Sequence, residues 1–189
     1  MMTMADKVLE IHNKREEEII KKKFQIFIQK RFDDCLERVE GWENGLTDIT
    51  SDEIGFINDL IREGKRLGFL ISKTSEREIR IEIPEYVAGD MTTAQTMLHE
   101  FNSKLKVKIK QEIKDAQEIS QEIFKRIEEG NFIMDRTTWK KYHMRISIYS
   151  KKTSTTKVFD EEIQKIMKEN GFCKIKFFSG EWHLYINKP

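Results

Sequence analysis

The chain has 189 residues, of which 38% are hydrophobic and 35% are charged, and its formal net charge is +1. Two prolines and nine glycines exclude the composition of a disordered chain, and the apolar content is enough for one medium domain or two small ones. The two cysteines have no motif spacing and exclude a disulfide framework, so we expect a reducing, cytoplasmic setting.

Charge is distributed unevenly along the chain. Residues 1–130 contain 22 Lys and Arg and 27 Asp and Glu, a net charge of −5, whereas residues 131–189 contain 12 and 6, a net charge of +6. A basic C-terminal block suits an acidic partner, although an ordinary solvated surface has the same composition. No run reaches the ~18–20 apolar residues of a membrane span, and the N-terminus lacks a signal-peptide pattern, so no membrane partner is expected.

The first 40 residues have the pattern of one long helix. Over residues 5–40 the apolar positions recur at spacings of three and four, and Gly41 stands where a glycine commonly ends a helix. At ~1.5 Å per residue this helix is about 50 Å long. That length exceeds what the rest of the first half can cover, so we expect its charged first turns to lie in solvent or against another chain.

A short helix and a hairpin follow. Thr50 and Glu53 fit a capping box at the start of a helix over residues 52–66, and Gly68 ends that helix. Apolar residues then alternate with charged ones over residues 78–83, which predicts a strand with one buried face. The predicted strands are 46–49, 69–73 and 78–83.

The second half repeats this order. A cap at Thr92 begins a second long helix, which runs to Glu129 and is ended by Gly130. Asp160 is the expected cap of a later short helix, and Gly171 ends it. After the long helix we predict a strand at 142–149, a helix at 160–169, and strands at 172–178 and 181–187.

Both halves pass from a short helix through Gly-Phe into a hairpin, at residues 68–69 and 171–172. The predicted fold class is α+β, with two tandem long-helix plus short-helix/β-hairpin units and antiparallel sheets. The predicted domains are residues 1–87 and 91–189. The shared order favours a diverged internal repeat, and the alternative is chance recurrence of a common helix–glycine–hairpin device.

The sequence contains no glycine-rich phosphate loop and no HExxH, CxxC or GxSxG motif. We therefore predict no catalytic residues, no metal site and no cofactor. If the predicted C-terminal strands share a sheet, their alternation gathers cationic and aromatic side chains on one face, which suits a ligand or nucleic acid. The alternative is the ordinary solvated face of an antiparallel sheet. The candidate binding surface consists of His143, Arg145, Lys174, Lys176, His183 and Tyr185.

The helix and hairpin over residues 52–83 resemble the recognition helix and wing of a winged-helix DNA-binding domain. The pattern departs from that family in two respects. Winged helices need a compact three-helix unit with a tight turn before the recognition helix, whereas one very long helix precedes it here. Acidic residues near the start of the candidate recognition helix would also repel phosphates.

The overall pattern resembles small uncharacterised helix-plus-hairpin proteins of tailed bacteriophages. The matching stretches are "TTAQTMLHEF" (92–101), "IFKRIEEGNF" (123–132), residues 166–186 and, in a shorter version, residues 60–83. The resemblance implies a phage origin and no catalytic residues.

These observations predict a non-enzymatic binding or assembly protein. It would act through protein–protein surfaces, as a virion component or as a binder of a host factor, in the cytoplasm of a bacterial host or in the virion. We expect a protein partner or self-association through the long helices. The alternative is a nucleic-acid-binding protein that uses the basic C-terminal unit.

Overall fold

A computed structural model describes residues 3–135, 142–149 and 156–187. The fold is α+β, as predicted, and both of its sheets are antiparallel. The chain divides into two compact units, Met1–Leu105 and Lys106–Pro189. Within the described ranges, no helix combines the length and the apolar character that crossing a bilayer requires.

The first unit builds a three-stranded sheet in the order β1-β3-β2. Its elements are α1 (Met4–Arg38), β1 (Gly45–Asp48), α2 (Ser51–Ile54), α3 (Ile57–Arg66), β2 (Leu70–Lys73) and β3 (Glu78–Glu82). The predicted long helix, the hairpin and the short first strand are therefore confirmed.

The second long helix, α4 (Thr93–Glu128), is also confirmed, and it contains the point at which the two units divide. The division therefore lies inside a helix, and the predicted domains, residues 1–87 and 91–189, stay predictions. The early turns of α4 are part of the first unit because Phe101 stacks on Phe32 of α1, with ring centroids 4.9 Å apart. The Thr92 cap exists as predicted, since the Thr92 N–H donates to Gln95 Oε1 at 2.9 Å.

The second unit builds a four-stranded sheet in the order β4-β5-β7-β6. Its elements after α4 are β4 (Ile133–Asp135), β5 (Tyr142–Tyr149), α5 (Lys157–Glu169), β6 (Lys174–Phe178) and β7 (Glu181–Asn187). The short edge strand β4 was not predicted, because three residues are too few to display an alternating pattern.

The core of the first unit lies between α1, α3 and the inner face of the sheet. Its fully buried side chains include Phe24 of α1, Leu60 of α3 and Ile79 and Ile81 of β3. The apolar face of the strand, which repeats every two residues, thus packs against the apolar stripes of the helices, which repeat every 3.6 residues.

A second core lies between α4, α5 and the C-terminal sheet. Phe159 and Met167 of α5 are buried, as are Trp182 and Leu184 of β7 and Ile123 of α4. The alternation of β7 therefore directs Trp182 and Leu184 into this core.

Three predicted boundaries were wrong. Gly41 does not end α1. Val39 adopts the left-handed conformation (φ 54°) instead, because its side chain is buried and the following N–H reaches the carbonyl of Cys35 at 2.9 Å. Asp160 does not cap α5, which begins earlier, where Thr156 Oγ1 accepts from the Phe159 N–H at 3.3 Å.

The third correction concerns the helix expected over residues 52–66, which is two helices, α2 and α3, separated by Gly55 and Phe56. The turn brings Phe56 to α1, where the Lys23 ammonium lies 3.1 Å from the centroid of its ring. The capping box at Thr50 is confirmed, since Glu53 Oε2 accepts from the Thr50 N–H at 2.7 Å.

The two sheets share a chain path. In the first sheet, β3 pairs with both β1 and β2. In the second sheet, β7 pairs in the same way with both β5 and β6. The path β1-α3-β2-β3 therefore matches β5-α5-β6-β7, and β4 is an addition to the second sheet. An internal duplication stays a prediction.

The two Gly-Phe junctions differ in packing, which gives a direct test of the fold. Gly68 and Gly171 both adopt left-handed conformations, with φ of +94° and +87°. A Cβ on Gly68 would lie 2.6 Å from Thr92 Cβ, whereas one on Gly171 would meet nothing within 4 Å.

We expect Gly171→Ala to lower the free energy of unfolding by about 1–2 kcal/mol, the cost of a left-handed alanine. Gly68→Ala should cost about 1–3 kcal/mol more, because the added methyl group also displaces the cap of α4. Urea unfolding of the two variants measures both losses. Equal losses would contradict the packing at Thr92.

Candidate functional site

The C-terminal sheet has one buried face and a second face that carries most of its polar side chains. Because side chains alternate along a strand, the residues between the buried ones lie on the opposite side of the sheet. We call this side the second face. Its described side chains on β5, β6 and β7 are Arg145, Ser147, Tyr149, Lys174, Lys176, Phe178, Glu181, His183 and Tyr185.

The register of the strands arranges these side chains in rows. In one row, Tyr185 of β7 lies between Arg145 of β5 and Lys174 of β6. In the next row, His183 lies between Ser147 and Lys176. Directly opposed residues on one face approach to about 4.5–5.5 Å between Cβ atoms, so each row is a set of neighbours.

A third row contains Tyr149, Glu181 and Phe178 in the same strand order. Tyr149 and Phe178 are 56% and 69% exposed. A Cβ on Gly180, in the turn between β6 and β7, would lie 3.5 Å from the Tyr149 ring, so the ring rests against that turn.

Five of the six predicted surface residues share the second face: Arg145, Lys174, Lys176, His183 and Tyr185. His143 belongs to β5, but its side chain lies outside the described residues. The pairing of β5 with β7 is irregular between Tyr142 and Met144, so the register there does not fix the face of the intervening residue.

Two exposed rings of the second face, Tyr149 and Phe178, were not predicted from the sequence. Their spacing could have identified them, because residues an even number of positions apart in a strand lie on the same face. Tyr149 lies four positions after Arg145, and Phe178 lies two positions after Lys176. Both residues stand at strand ends beside polar turns, where an alternating pattern gives little indication of which face a side chain joins.

His183 occupies the middle of the second face and is well covered, with 12% of its side chain exposed. Burial lowers the pKa of His183, the positive charge of Arg145 lowers it further, and Glu181, with its Oε2 3.7 Å from the His183 Nε2, opposes the shift. Glu181 is the one acidic side chain that the structure describes on this face. At neutral pH the imidazole is therefore held in its uncharged form.

The lowered pKa of His183 predicts a dependence of stability on pH. The unfolded imidazole titrates near 6.5, so below that pH the unfolded chain binds a proton that the folded chain resists. The contribution of His183 is fully present above pH 6.5. It is lost as pH falls from there towards the folded pKa.

We expect His183→Asn to flatten the fall in urea midpoint between about pH 7 and pH 5, because it removes the group that titrates. His99→Asn, at an exposed position on α4, controls for loss of an imidazole as such. An unchanged slope in His183→Asn would contradict the environment described for this residue.

A second surface, which was not predicted from the sequence, lies on α1. Six apolar side chains on this helix are each 53–78% exposed, Leu9 among them. The other five share one side of the helix: Met4, Val8, Ile11, Ile19 and Ile26. At ~100° per residue they lie within roughly 80° of the helix circumference, on the side opposite to the buried Phe24, Phe27 and Ile28. We call these five residues the outer stripe of α1. Their spacings of four, three, eight and seven were the available signal.

The first half of α1 is held by contacts within the helix. Thr3 and Asp6 form a capping box, in which hydrogen bonds from Thr3 lower the pKa of Asp6. The Lys14 ammonium lies 2.7 Å from Glu10 Oε1. Such exposed local pairs contribute only a few tenths of a kcal/mol each, so the outer stripe is presented on a helix with little local stabilisation.

Comparisons with known proteins give no relative for this chain: no family model, no curated protein and no solved structure matches it. Among the described side chains, no group of three or more His, Cys, Asp or Glu residues is arranged to hold a metal ion.

Proposed function

We propose that this chain is a non-enzymatic assembly protein that binds a second copy of itself through the outer stripe of α1. The observation that carries the proposal is the presence of two apolar stripes on opposite sides of one helix. One stripe is used by the core of the first unit, and the outer stripe is exposed from Met4 to Ile26. Arg15 and Lys22 lie in the same sector, so the outer stripe consists of two exposed apolar segments with charged residues between them. Exposed apolar patches mark interaction surfaces.

The spacing of the outer stripe suits an antiparallel pair. Around a two-fold axis at Arg15, Met4 of one copy lies opposite Ile26 of the other, since each is 11 residues from the axis. Ile11 and Ile19 are likewise equidistant. Val8 lies opposite Lys22, whose aliphatic stem can cover it while the ammonium group stays in water.

Charges flanking the stripe are also complementary in this arrangement. Lys14 of one copy lies near Glu18 of the other, and His12 lies near Glu16, each pair occurring twice by symmetry. The two Arg15 side chains meet at the axis, where their charges oppose association. Neighbouring Glu16 and Glu18 offset that repulsion.

The area available is compatible with a dimer of modest affinity. At ~25 cal/mol per Å², an apolar side chain that contributes about 1.5–3 kcal/mol buries roughly 60–120 Å². Five such side chains from each copy therefore bury on the order of 1,000 Å², near the lower limit of specific interfaces. We expect a dissociation constant in the micromolar range.

The resemblance to tailed-bacteriophage proteins supports a phage origin, and the chain would then serve as a virion component or as a binder of a host factor in the bacterial cytoplasm. Self-association fits both roles, because two copies present every other surface twice. A second candidate function, nucleic-acid binding, is favoured by the cationic and aromatic side chains that share the second face of the C-terminal sheet.

Sedimentation velocity of the full chain and two charge variants tests the assembly proposal. Ile11→Lys places a charge inside the outer stripe, and we expect it to weaken association at least tenfold because it breaks two symmetric contacts. Asn13→Lys is the matched control, since residue 13 is exposed on the opposite side of the same segment, and it should dimerise like the unmodified chain.

A chain lacking residues 1–20 should be monomeric and retain both sheet cores. The proposal fails if the unmodified chain is monomeric at about 100 µM, well above the expected dissociation constant. It also fails if the two lysine variants associate equally well. A stripe that instead bound a host factor would give a monomeric chain, and that outcome counts against self-association.

A further inference from the structure

We infer that an open cleft in the first unit binds an organic cation, an alkylated ammonium group that packs against the rings of Trp42 and Tyr86 and is neutralised by Glu85. This inference is independent of the outer stripe of α1 and of self-association.

The cleft lies between the residues that follow α1, the residues that follow β3 and the first turns of α4. Its volume is about 370 Å³, which is within the range of clefts that hold small ligands. A mostly apolar lining with a few polar groups is the composition of such sites. The apolar and aromatic lining residues are Trp42, Ile83, Pro84, Tyr86, Met91 and Leu98.

Trp42 is held in place by two contacts. Its indole Nε1–H donates to Asn44 Oδ1 at 3.3 Å, and its ring meets the Phe32 ring edge to face, with centroids 5.0 Å apart. The same Asn44 oxygen accepts from the Ile83 N–H at 3.0 Å, which ties the Trp42 side of the cleft to the end of the sheet. A ring that is already fixed loses little conformational entropy when a ligand packs on it.

The segment over residues 84–91 forms another wall of the cleft, and it is fixed as well. Gln95 Nε2 donates to the carbonyl groups of Pro84 and Glu85, at 3.2 Å each. The Tyr86 hydroxyl donates to the Gly89 carbonyl at 2.5 Å and accepts from the Gly89 N–H at 3.3 Å. The cleft is therefore largely preformed, as ligand sites usually are.

The charge around the cleft favours a cation. Among the described residues that line it, Glu85 is the one carboxylate, and none is Lys or Arg. The chain segments 39–50 and 81–92, which supply most of the lining, contain three acidic residues each and no Lys or Arg. Glu40 and Glu82 of these segments pair with arginines, whereas Glu85 forms no ion pair within the described part of the chain. The Glu85 carboxylate is therefore available to a ligand.

The aromatic lining determines which kind of cation fits. Trp42 is partly exposed and Tyr86 is 56% exposed, so both rings are accessible from the cleft. The face of such a ring attracts an ammonium group, and the attraction grows as the group loses its water. Alkyl groups on the nitrogen reduce its hydration and also pack against the apolar lining. A metal ion, in contrast, needs several oxygen ligands.

An NMR titration of the ¹⁵N-labelled full chain with choline tests the inference. The chain has three tryptophans, and the indole signal of Trp42 is assigned by its loss in Trp42→Phe. We expect choline to shift that signal with a dissociation constant on the order of 1 mM. The neutral compound 3,3-dimethyl-1-butanol has the same shape without the charge, and it should bind about tenfold more weakly.

Variants separate the contribution of the charge from that of the ring. Glu85→Gln should weaken choline binding about 2- to 5-fold and leave binding of the neutral compound nearly unchanged. Glu76→Gln, at an exposed position in the turn between β2 and β3, is the matched control and should change neither affinity. Tyr86→Leu should bind choline about 2- to 5-fold more weakly than Tyr86→Phe, because both lose the hydroxyl group and only Tyr86→Leu loses the ring.

A second probe distinguishes a free small cation from the side chain of a protein partner. Trimethyl-lysine with an acetylated amino group and an amidated carboxyl group carries the same ammonium group as choline on a peptide backbone. Tighter binding of this probe than of choline would support the inference with a partner's side chain as the ligand. Equal or weaker binding would support it with a free cation as the ligand.

Three results would overturn the inference. The first is that neither cation shifts the Trp42 signal at about 20 mM, well above the expected dissociation constant. The second is equal affinity for choline and its neutral counterpart, which would show that the charge contributes nothing. The third is an equal effect of Glu85→Gln and Glu76→Gln on choline binding.

Discussion

Each unit of this protein depends on one apolar layer between helices and a single face of an antiparallel sheet. Ile79 and Ile81 supply the sheet side of that layer in the first unit, and Trp182 and Leu184 supply it in the second. Since strand side chains alternate, every inward residue places its neighbours on the other face. The cationic and aromatic side chains therefore lie together on the second face because the residues that alternate with them must be buried on the opposite face.

The same constraint explains why α1 is the element best suited to assembly. A helix that covers one sheet face needs one apolar stripe, and Phe24 and Ile28 belong to that stripe. The outer stripe from Met4 to Ile26 contributes nothing to this layer, and exposed apolar side chains cost solubility unless they are used. A helix that is apolar on both sides can cover its own core with one side and meet a second surface with the other, and we propose that a second copy of the chain supplies that surface.

The fold was largely predictable from sequence, because hydrophobic periodicity and glycine stops are local signals. Predictions failed where a tertiary contact overrode a local one: buried Val39 ends α1 in place of Gly41, and the contact of Phe56 with α1 accompanies a break in the expected helix. Strand parity brought five of the predicted surface residues together. The outer stripe was missed because its apolar residues are diluted by charges, so that composition suggested a solvated helix end.

Hydrogen exchange along α1 at two protein concentrations tests the central claim, which is that a second copy of the chain covers the outer stripe of α1. At concentrations above the dissociation constant, amides of residues 8–20 should be protected by the partner copy, and on dilution their protection should fall. Protection of residues 24–36 should persist, because the core of the first unit holds them. Rapid exchange of residues 8–20 at every concentration, or protection independent of concentration, would contradict the account.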